Sequence, residues 1–364
     1  VNVLDQNRPM EIVILGLSLS SSWGNGHATT FRALIKGLAA EGHRVLFLER
    51  DMPWYAPHRD MPDPDFCELV LYDGIDGMLA EYGDRLRNAD SVMVGSYVPE
   101  GPVLIDRLAG MGLRQLTFYD IDTPVTMQAL DDGTCEYLAE RQIPLFDIYF
   151  SFSGGEVLTH LEQVRGAKRA EALFCSVDDQ LYPCDPGMPK RWDLGYLGTY
   201  SPDRQPTLEA LLLEPARRLP EMRFVVAGPQ YPDDIDWPSN VERIDHLPPA
   251  GHPDFYNAQR FTLNVTRAAM RRMGWSPSVR LFEAGSCGVP VISDNWPGLD
   301  ELFADGDAII IAEGTEDVVQ GLKEADEARS RRIGQAARET VLAGHTGRAR
   351  AREMIKAMRT ERVA

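Results

Sequence analysis

Short apolar runs punctuate the first half of the chain at regular intervals. They are EIVILGL (11–17), RVLFLE (44–49), ELVLY (68–72), SVMVGSYV (91–98), RQLTFYDI (114–121), FDIYFSFS (146–153) and EALFC (171–175). Each has the length and β-branched or aromatic content of a buried strand. Between them lie helical patterns. In HATTFRALIKGLAAEG (27–42), Phe31, Leu34, Ile35 and Leu38 share one face, and Gly42 supplies a stop. Strands alternating with helices predict a parallel sheet covered by helices on both faces.

The polar, proline-bearing stretch CSVDDQLYPCDPGMPKRWD (175–193) breaks this rhythm and marks a domain boundary. A second series then begins, with strands expected at 193–200, 223–228, 241–246, 261–266, 289–294 and 308–312. Beyond about residue 313 the chain reads as charged helices. The expectation is α/β throughout: two Rossmann-like, doubly wound domains, with ligands in a central cleft beyond the carboxyl ends of the strands.

Composition narrows the partners. The 364 residues are 44% hydrophobic and 25% charged, ordinary values for a globular protein, and the formal net charge is −18. That sign argues against nucleic acid or an anionic membrane surface as a partner. The five cysteines (Cys67, Cys135, Cys175, Cys184, Cys287) include no C-x-x-C pair, which suits reduced thiols in a cytoplasmic setting. No apolar run reaches the length of a membrane span, and no leader pattern is read at the start, so no integral membrane contact is expected.

Two stretches carry candidate chemistry. In SSSWGNGHATTFRAL (20–34), Gly24 and Gly26 permit a tight turn, and a helix starts near His27. The spacing is G-x-G-x-x-T, with Thr29 where a dinucleotide fingerprint has its third glycine. Glu49 ends the second strand, where such folds place a ribose-binding acid, so an NAD-dependent oxidoreductase stays open. The second stretch, RAAMRRMGWSPSVRLFEAGSCGVPVISDNWPGLDELF (267–303), places Arg267, Arg271, Arg272 and Arg280 close together in an acidic chain. Ser276 is expected to cap a helix with Pro277 in its first turn. That helix start offers backbone N–H groups and the Ser278 hydroxyl to a diphosphate, with Arg280 beside them. Glu283, five residues after Ser278, can accept both hydroxyls of a ribose.

The segment FEAGSCGVPVIS resembles the E-A-x-x-C-G-x-P-V signature of nucleotide-sugar-dependent GT-B glycosyltransferases of the retaining family 4 type. The wider GWSPSVRLFEAGSCGVPVISDNWPGLDELF resembles their CgeB-like, spore-maturation-type branch more closely. DLGYLGTYSPDRQPTLEALL resembles the first strand and glycine loop of the donor domain, which includes Gly198. ALFCSVDDQLYPC resembles the end of the interdomain linker, and HTGRARAREMIKAM (345–358) the terminal helix that crosses back to the first domain.

The resemblance implies an acceptor domain over 10–180, a donor domain over 181–344 and a crossing helix over 345–364. It also implies sugar transfer from a nucleotide diphosphate-sugar to a hydroxyl acceptor, which could be a glycan, lipid, protein or small molecule, with no cofactor or metal required. Glu283 would bind the ribose, Arg204 and Arg280 would face the diphosphate, and His246 would lie near the base. The first glutamate of the retaining E-x7-E motif is replaced by Trp275. An epimerase of the same fold, which needs no acceptor, is the alternative.

An inverting transferase needs a base, and His27 is placed for it. Asp120 and Asp122 in FYDIDTPVTM (118–127) are the other catalytic candidates; alternation puts both on one side of a strand. Asp122 could equally cap the next helix. A metal-binding D-x-D reading is set aside, because arginines and helix ends stabilise the leaving group in a fold of this kind.

Overall fold

The computed structural model describes residues 8–23 and 26–360. The chain divides into two compact units. One runs to Ser176 and resumes at Gly347; the other spans Val177–Thr346.

The first unit holds a seven-stranded sheet: β1 (Glu11–Gly16), β2 (Arg44–Arg50), β3 (Glu68–Tyr72), β4 (Ser91–Gly95), β5 (Leu116–Asp120), β6 (Ile148–Ser151) and β7 (Ala170–Ala172). The order is β3-β2-β1-β4-β5-β6-β7 and every pairing is parallel. Each strand lies inside the run that predicts it, give or take a residue. The runs overshoot at their carboxyl ends, where residues such as Ser96–Val98 have already left the ladder.

On one face of this sheet, Ile12, Ile14, Phe47 and Met93 pack against Phe31, Leu34, Ile35 and Leu38 of the His27–Ala40 helix. The C-terminal helix Gly347–Arg359 completes the same core with Ala351, Met354, Ile355 and Met358. Two glycines let these helices touch backbone to backbone. A Cβ on Gly37 would fall 2.1 Å from the Gly347 carbonyl oxygen, and one on Gly347 would fall 2.0 Å from that of Ala33.

The second unit repeats the plan with six parallel strands: β8 (Trp192–Leu197), β9 (Phe224–Ala227), β10 (Val241–Ile244), β11 (Gln259–Asn264), β12 (Val291–Asp294) and β13 (Ile310–Ala312). Their order is β10-β9-β8-β11-β12-β13. Leu194, Tyr196, Phe224, Val226, Phe261 and Leu263 form its core with Leu208, Leu211 and Leu212. The helical run 205–218 passes through a π turn at Glu209–Leu213, which ends two residues before Pro215. Proline cannot donate the usual i→i−4 bond, and a widened turn accommodates it.

In both sheets the chain steps outward from the first strand, then returns to pair the fourth strand with the first. The switch points are therefore β1/β4 and β8/β11. In open α/β sheets ligands bind beyond the carboxyl ends of the strands at such a point.

Candidate functional site

At the β8/β11 switch point, Arg280 anchors the arrangement. Its Nε and Nη2 donate to the Leu197 carbonyl at the end of β8 (2.8 and 2.6 Å), and its Nη1 donates to Asn264 Oδ1 at the end of β11 (2.9 Å). The guanidinium lies over the Tyr196 ring at 4.9 Å. Ser278 Oγ donates to the same Asn264 Oδ1 (2.8 Å). The helix Val279–Ser286 begins here with Ser278 as its N-cap residue, its side chain turned to Asn264 instead of capping. The cap therefore lies two residues later than expected. Ser276 is buried and bonds the Gly274 carbonyl (2.8 Å), because Pro277 belongs to the approach to the helix and not to its first turn.

Arg204 belongs to the same group. Its Nη2 donates to the Thr199 carbonyl (2.7 Å), while its buried Nε has no hydrogen-bond partner among the described residues. Burial lowers its pKa, and the fields of Arg280 and Arg267 add to this. Cations held this close to one another are a receptor for polyvalent anions. The Tyr196 hydroxyl nearby is also buried and unpartnered. Gly198 is required beside it, since a Cβ there would sit 2.5 Å from that hydroxyl. The next loop comes equally close: a Cβ on Gly228, at φ +144°, would fall 2.1 Å from the Gly198 oxygen.

His246 follows β10 and is exposed. Nearby on β10, Arg243 lies over both the Tyr231 and Trp237 rings, at 4.2 and 4.5 Å, and the two rings themselves meet edge to face (5.5 Å). Glu283 is buried, and its two oxygens accept from the hydroxyls of Tyr182 (2.8 Å) and Tyr256 (3.0 Å). An ionised carboxylate has about four acceptor positions, so the two tyrosines orient it without exhausting it. Trp275 takes a left-handed backbone (φ 42°), and its indole donates to Glu301 (3.0 Å).

The β1/β4 switch point has different chemistry. Gly24 of the expected glycine turn lies outside the described residues. Gly26 is the N-cap residue of the His27–Ala40 helix. His27 packs edge-on against Tyr97 (5.1 Å), and its Nδ1 is buried with no partner among the described residues. Burial pushes its pKa down to about 4, so the ring is neutral at physiological pH. Tyr97 occupies a left-handed conformation (φ 63°), a strained state for a bulky residue and one that concentrates at functional sites. Its ring packs on Tyr137 (4.4 Å) and its hydroxyl lies 3.4 Å from Asp122.

Alternation does not govern the two aspartates, because β5 ends at Asp120 and Asp122 is already the N-cap residue of the Thr123–Asp131 helix. Asp120 is fully buried; its oxygens accept from Thr126 (2.6 Å) and Tyr149 (2.7 Å). Burial raises its pKa to about 6. This geometry gives Asp120 an internal role, tying the end of β5 to Thr126 and Tyr149.

Glu49 is likewise occupied. Its carboxylate takes the backbone N–H groups of Leu19 (2.7 Å) and Ser20 (2.9 Å) and the hydroxyls of Ser20 (2.6 Å) and Ser18 (3.2 Å). It shapes the serine loop after β1 and is spent for ribose binding, which removes the support for a dinucleotide reading. Among the described residues no group of three or more His, Cys, Asp or Glu side chains is placed to hold a metal.

Tyr97, Tyr182, Tyr256 and Asn264 were not legible as site residues. Tyr182 alone carried a signal, in the linker's LYP. The others are ordinary strand- or helix-end residues given a role by the topology.

Residues 204–356, less than half of the chain, match the family described as "Glycosyl transferase-like". No curated protein matches. Among solved structures, a sucrose-phosphate synthase from Thermosynechococcus elongatus superposes with a TM-score of 0.72 at 16% identity, covering 96% of this chain and 98% of its own. Anabaena HepE in complex with UDP-glucose gives 0.64 at 14%, covering 96% and 99%. An alpha-glucosyltransferase in complex with UDP-glucose and DNA containing an abasic site gives 0.68 at 14%, covering 97% and 100%. With two parallel-sheet Rossmann-like domains that match these structures, the chain has the GT-B glycosyltransferase fold.

Proposed function

We propose that the protein is a glycosyltransferase moving a sugar, a hexose in the simplest case, from a nucleotide diphosphate-sugar to a hydroxyl acceptor. The single observation that carries this reading is the convergence of Arg280, Arg204 and Ser278 at the β8/β11 switch point. Two guanidinium groups and a helix start beyond the carboxyl ends of parallel strands fit a diphosphate. UDP is the first nucleotide to consider, because two of the solved relatives hold UDP-glucose. Glu283, oriented by Tyr182 and Tyr256, accepts the ribose hydroxyls through its remaining lone pairs, and His246 lies toward the base.

In the reaction, the acceptor oxygen forms a bond to the anomeric carbon as the bond from that carbon to the phosphate oxygen breaks. The acceptor proton passes to His27, whose neutral imidazole is ready to receive it. Charge developing on the departing diphosphate is met by Arg280, Arg204 and backbone N–H groups. Because guanidinium groups supply that charge, no metal is required for turnover, and activity in excess EDTA is expected. The 274–303 segment is the basis for placing the protein nearest the CgeB-like branch, and a cytoplasmic setting goes with the scattered, unpaired pattern of its cysteines.

A thermal-shift panel tests the assignment, with UDP, GDP, TDP and ADP set beside NAD and NADP. A ligand at a hundred times its Kd stabilises by about 2.7 kcal/mol, enough to raise Tm by a few degrees. One nucleoside diphosphate should stand out. A shift with NAD or NADP alone would overturn the transferase reading.

A further inference from the structure

A cavity of the second unit lies at the opposite end of its strands from the arginines. It has a volume of about 610 Å³, within the range of small-molecule sites, and is lined by Cys184, Met188, Lys190, Asn257, Cys287 and Pro290, among others. Lys190 precedes β8, Asn257 precedes β11 and Pro290 precedes β12, so the cavity opens at the amino ends of the strands. Its wall mixes apolar surface from Met188 and two prolines, Pro186 and Pro290, with three cations, Lys190, Arg260 and Arg331; Arg260 is held by Asp193 (3.6 Å) and Arg331 by Glu327. The Lys190 ammonium donates to the Asn257 carbonyl (2.7 Å), and an ammonium has three N–H groups to give. Two acids share the wall, and the Asp185 carboxylate lies close enough to support the charge on Lys190. Asp185 accepts from the Gly187 backbone (3.0 Å), and Glu327 pairs with Arg331.

Three segments of this wall lead directly to Glu283. Cys184 is two residues from Tyr182, and Asn257 follows Tyr256, the two tyrosines that hold the carboxylate. Cys287 follows the Val279–Ser286 helix, which carries Glu283 at its middle and starts beside Ser278 and Arg280. Eight residues of helix, about 12 Å, thus join the cavity to the arginine site as one rigid element.

We propose that this cavity is a second ligand site for a small amphipathic anion, with the anionic group on Lys190 and the apolar body against Met188 and Pro290, and that its occupancy alters nucleotide binding through the helix bearing Glu283. The coupling rests on the nucleotide reading of the arginine site; the binding does not.

The test uses the full chain and the dye 8-anilinonaphthalene-1-sulfonate, an amphipathic anion that fluoresces on entering an apolar site. Saturable one-to-one binding is expected. Lys190→Met should weaken it at least tenfold by removing a charged hydrogen bond. Met188→Trp should abolish it by filling the cavity, with circular dichroism unchanged in both variants. Calorimetric titration of UDP should then show a several-fold change in affinity with the dye bound.

Equal dye binding in all three proteins, or displacement of the dye by UDP with no sensitivity to Lys190, overturns the site. Unchanged UDP affinity in the presence of bound dye overturns the coupling. Absence of UDP binding to the wild type overturns the functional reading and the coupling with it, while the Lys190 and Met188 variants still decide the site.

Discussion

The two units share a topology and differ in what they place at its switch point. Beyond β8 and β11 stand Arg204, Arg280, Ser278 and Asn264, a cationic and donor-rich cluster. Beyond β1 and β4 stand His27, Tyr97, Tyr137 and Asp122, aromatic and acidic, with an imidazole that burial keeps neutral. An anion suits the first, and a neutral hydroxylated molecule the second. The same order of strands recurs in both units, and only the residues at and just past the strand ends set the two switch points apart.

The sharpest way to break this division is at His27. His27→Ala should cut kcat by roughly 10²–10⁴, the usual worth of a general base, while leaving UDP affinity within twofold by calorimetry. Equal losses in both would show that His27 serves the nucleotide and that the units do not divide the work. The pH profile sharpens the point. A base whose pKa is pushed down to about 4 stays competent as pH falls from 8 to 5, so the rate should hold through 6.5, where an ordinary histidine would already be losing it.

Arg280→Ala should have the next largest effect and act on the other side of the comparison. Losing charge-assisted bonds to phosphate costs roughly 3 kcal/mol, about a hundredfold in UDP affinity. Arg280→Lys should recover only part of it, because an ammonium cannot span Leu197 and Asn264 as the guanidinium fork does. Full recovery by lysine would reduce the cluster to bare charge.

The smallest effect expected is on stability in the first unit. The folded-state pKa of Asp120 is raised to about 6 from an unfolded value near 3.8. Its contribution is therefore fully present below about pH 4 and is lost as pH rises through 6. Asp120→Asn should remove that dependence. In urea unfolding, the stability of wild type relative to the variant should fall by about 2 kcal/mol between pH 4 and pH 7. Abolished turnover at unchanged stability would instead return Asp120 to the catalytic candidates.

Most of the fold was legible in the sequence, because strands buried on both faces read as unbroken apolar runs and the helices between them carry a clear apolar face. Legibility faded at the carboxyl ends of the strands, where the candidate sites lie. The run SVMVGSYV continues apolar past Gly95 although the ladder stops, and Tyr97 then turns left-handed with no residue-type signal to announce it. Ser276 and Ser278 flank one proline and are equally good caps on paper; only the position of Asn264 favours the second. Arg280 and Ser278 were readable because arginine and a serine–proline pair are unusual in that setting. Glu283 was readable as a candidate ribose acceptor, but its tyrosine partners come from segments 101 and 27 residues away and left no mark near it.

The contact between Gly37 and Gly347 has a consequence for how the molecule is made. A ribosome releases the first unit's sheet early, yet four side chains of that unit's core, Ala351, Met354, Ile355 and Met358, follow the whole second unit along the chain. The second unit, continuous from Val177 to Thr346, has its whole core in hand before then. Domains fold as units when their residues are available, so the part encoded second is free to finish first. The part encoded first waits for the second to be made, with an apolar seam open along the His27–Ala40 helix until the Gly347–Arg359 helix closes over it.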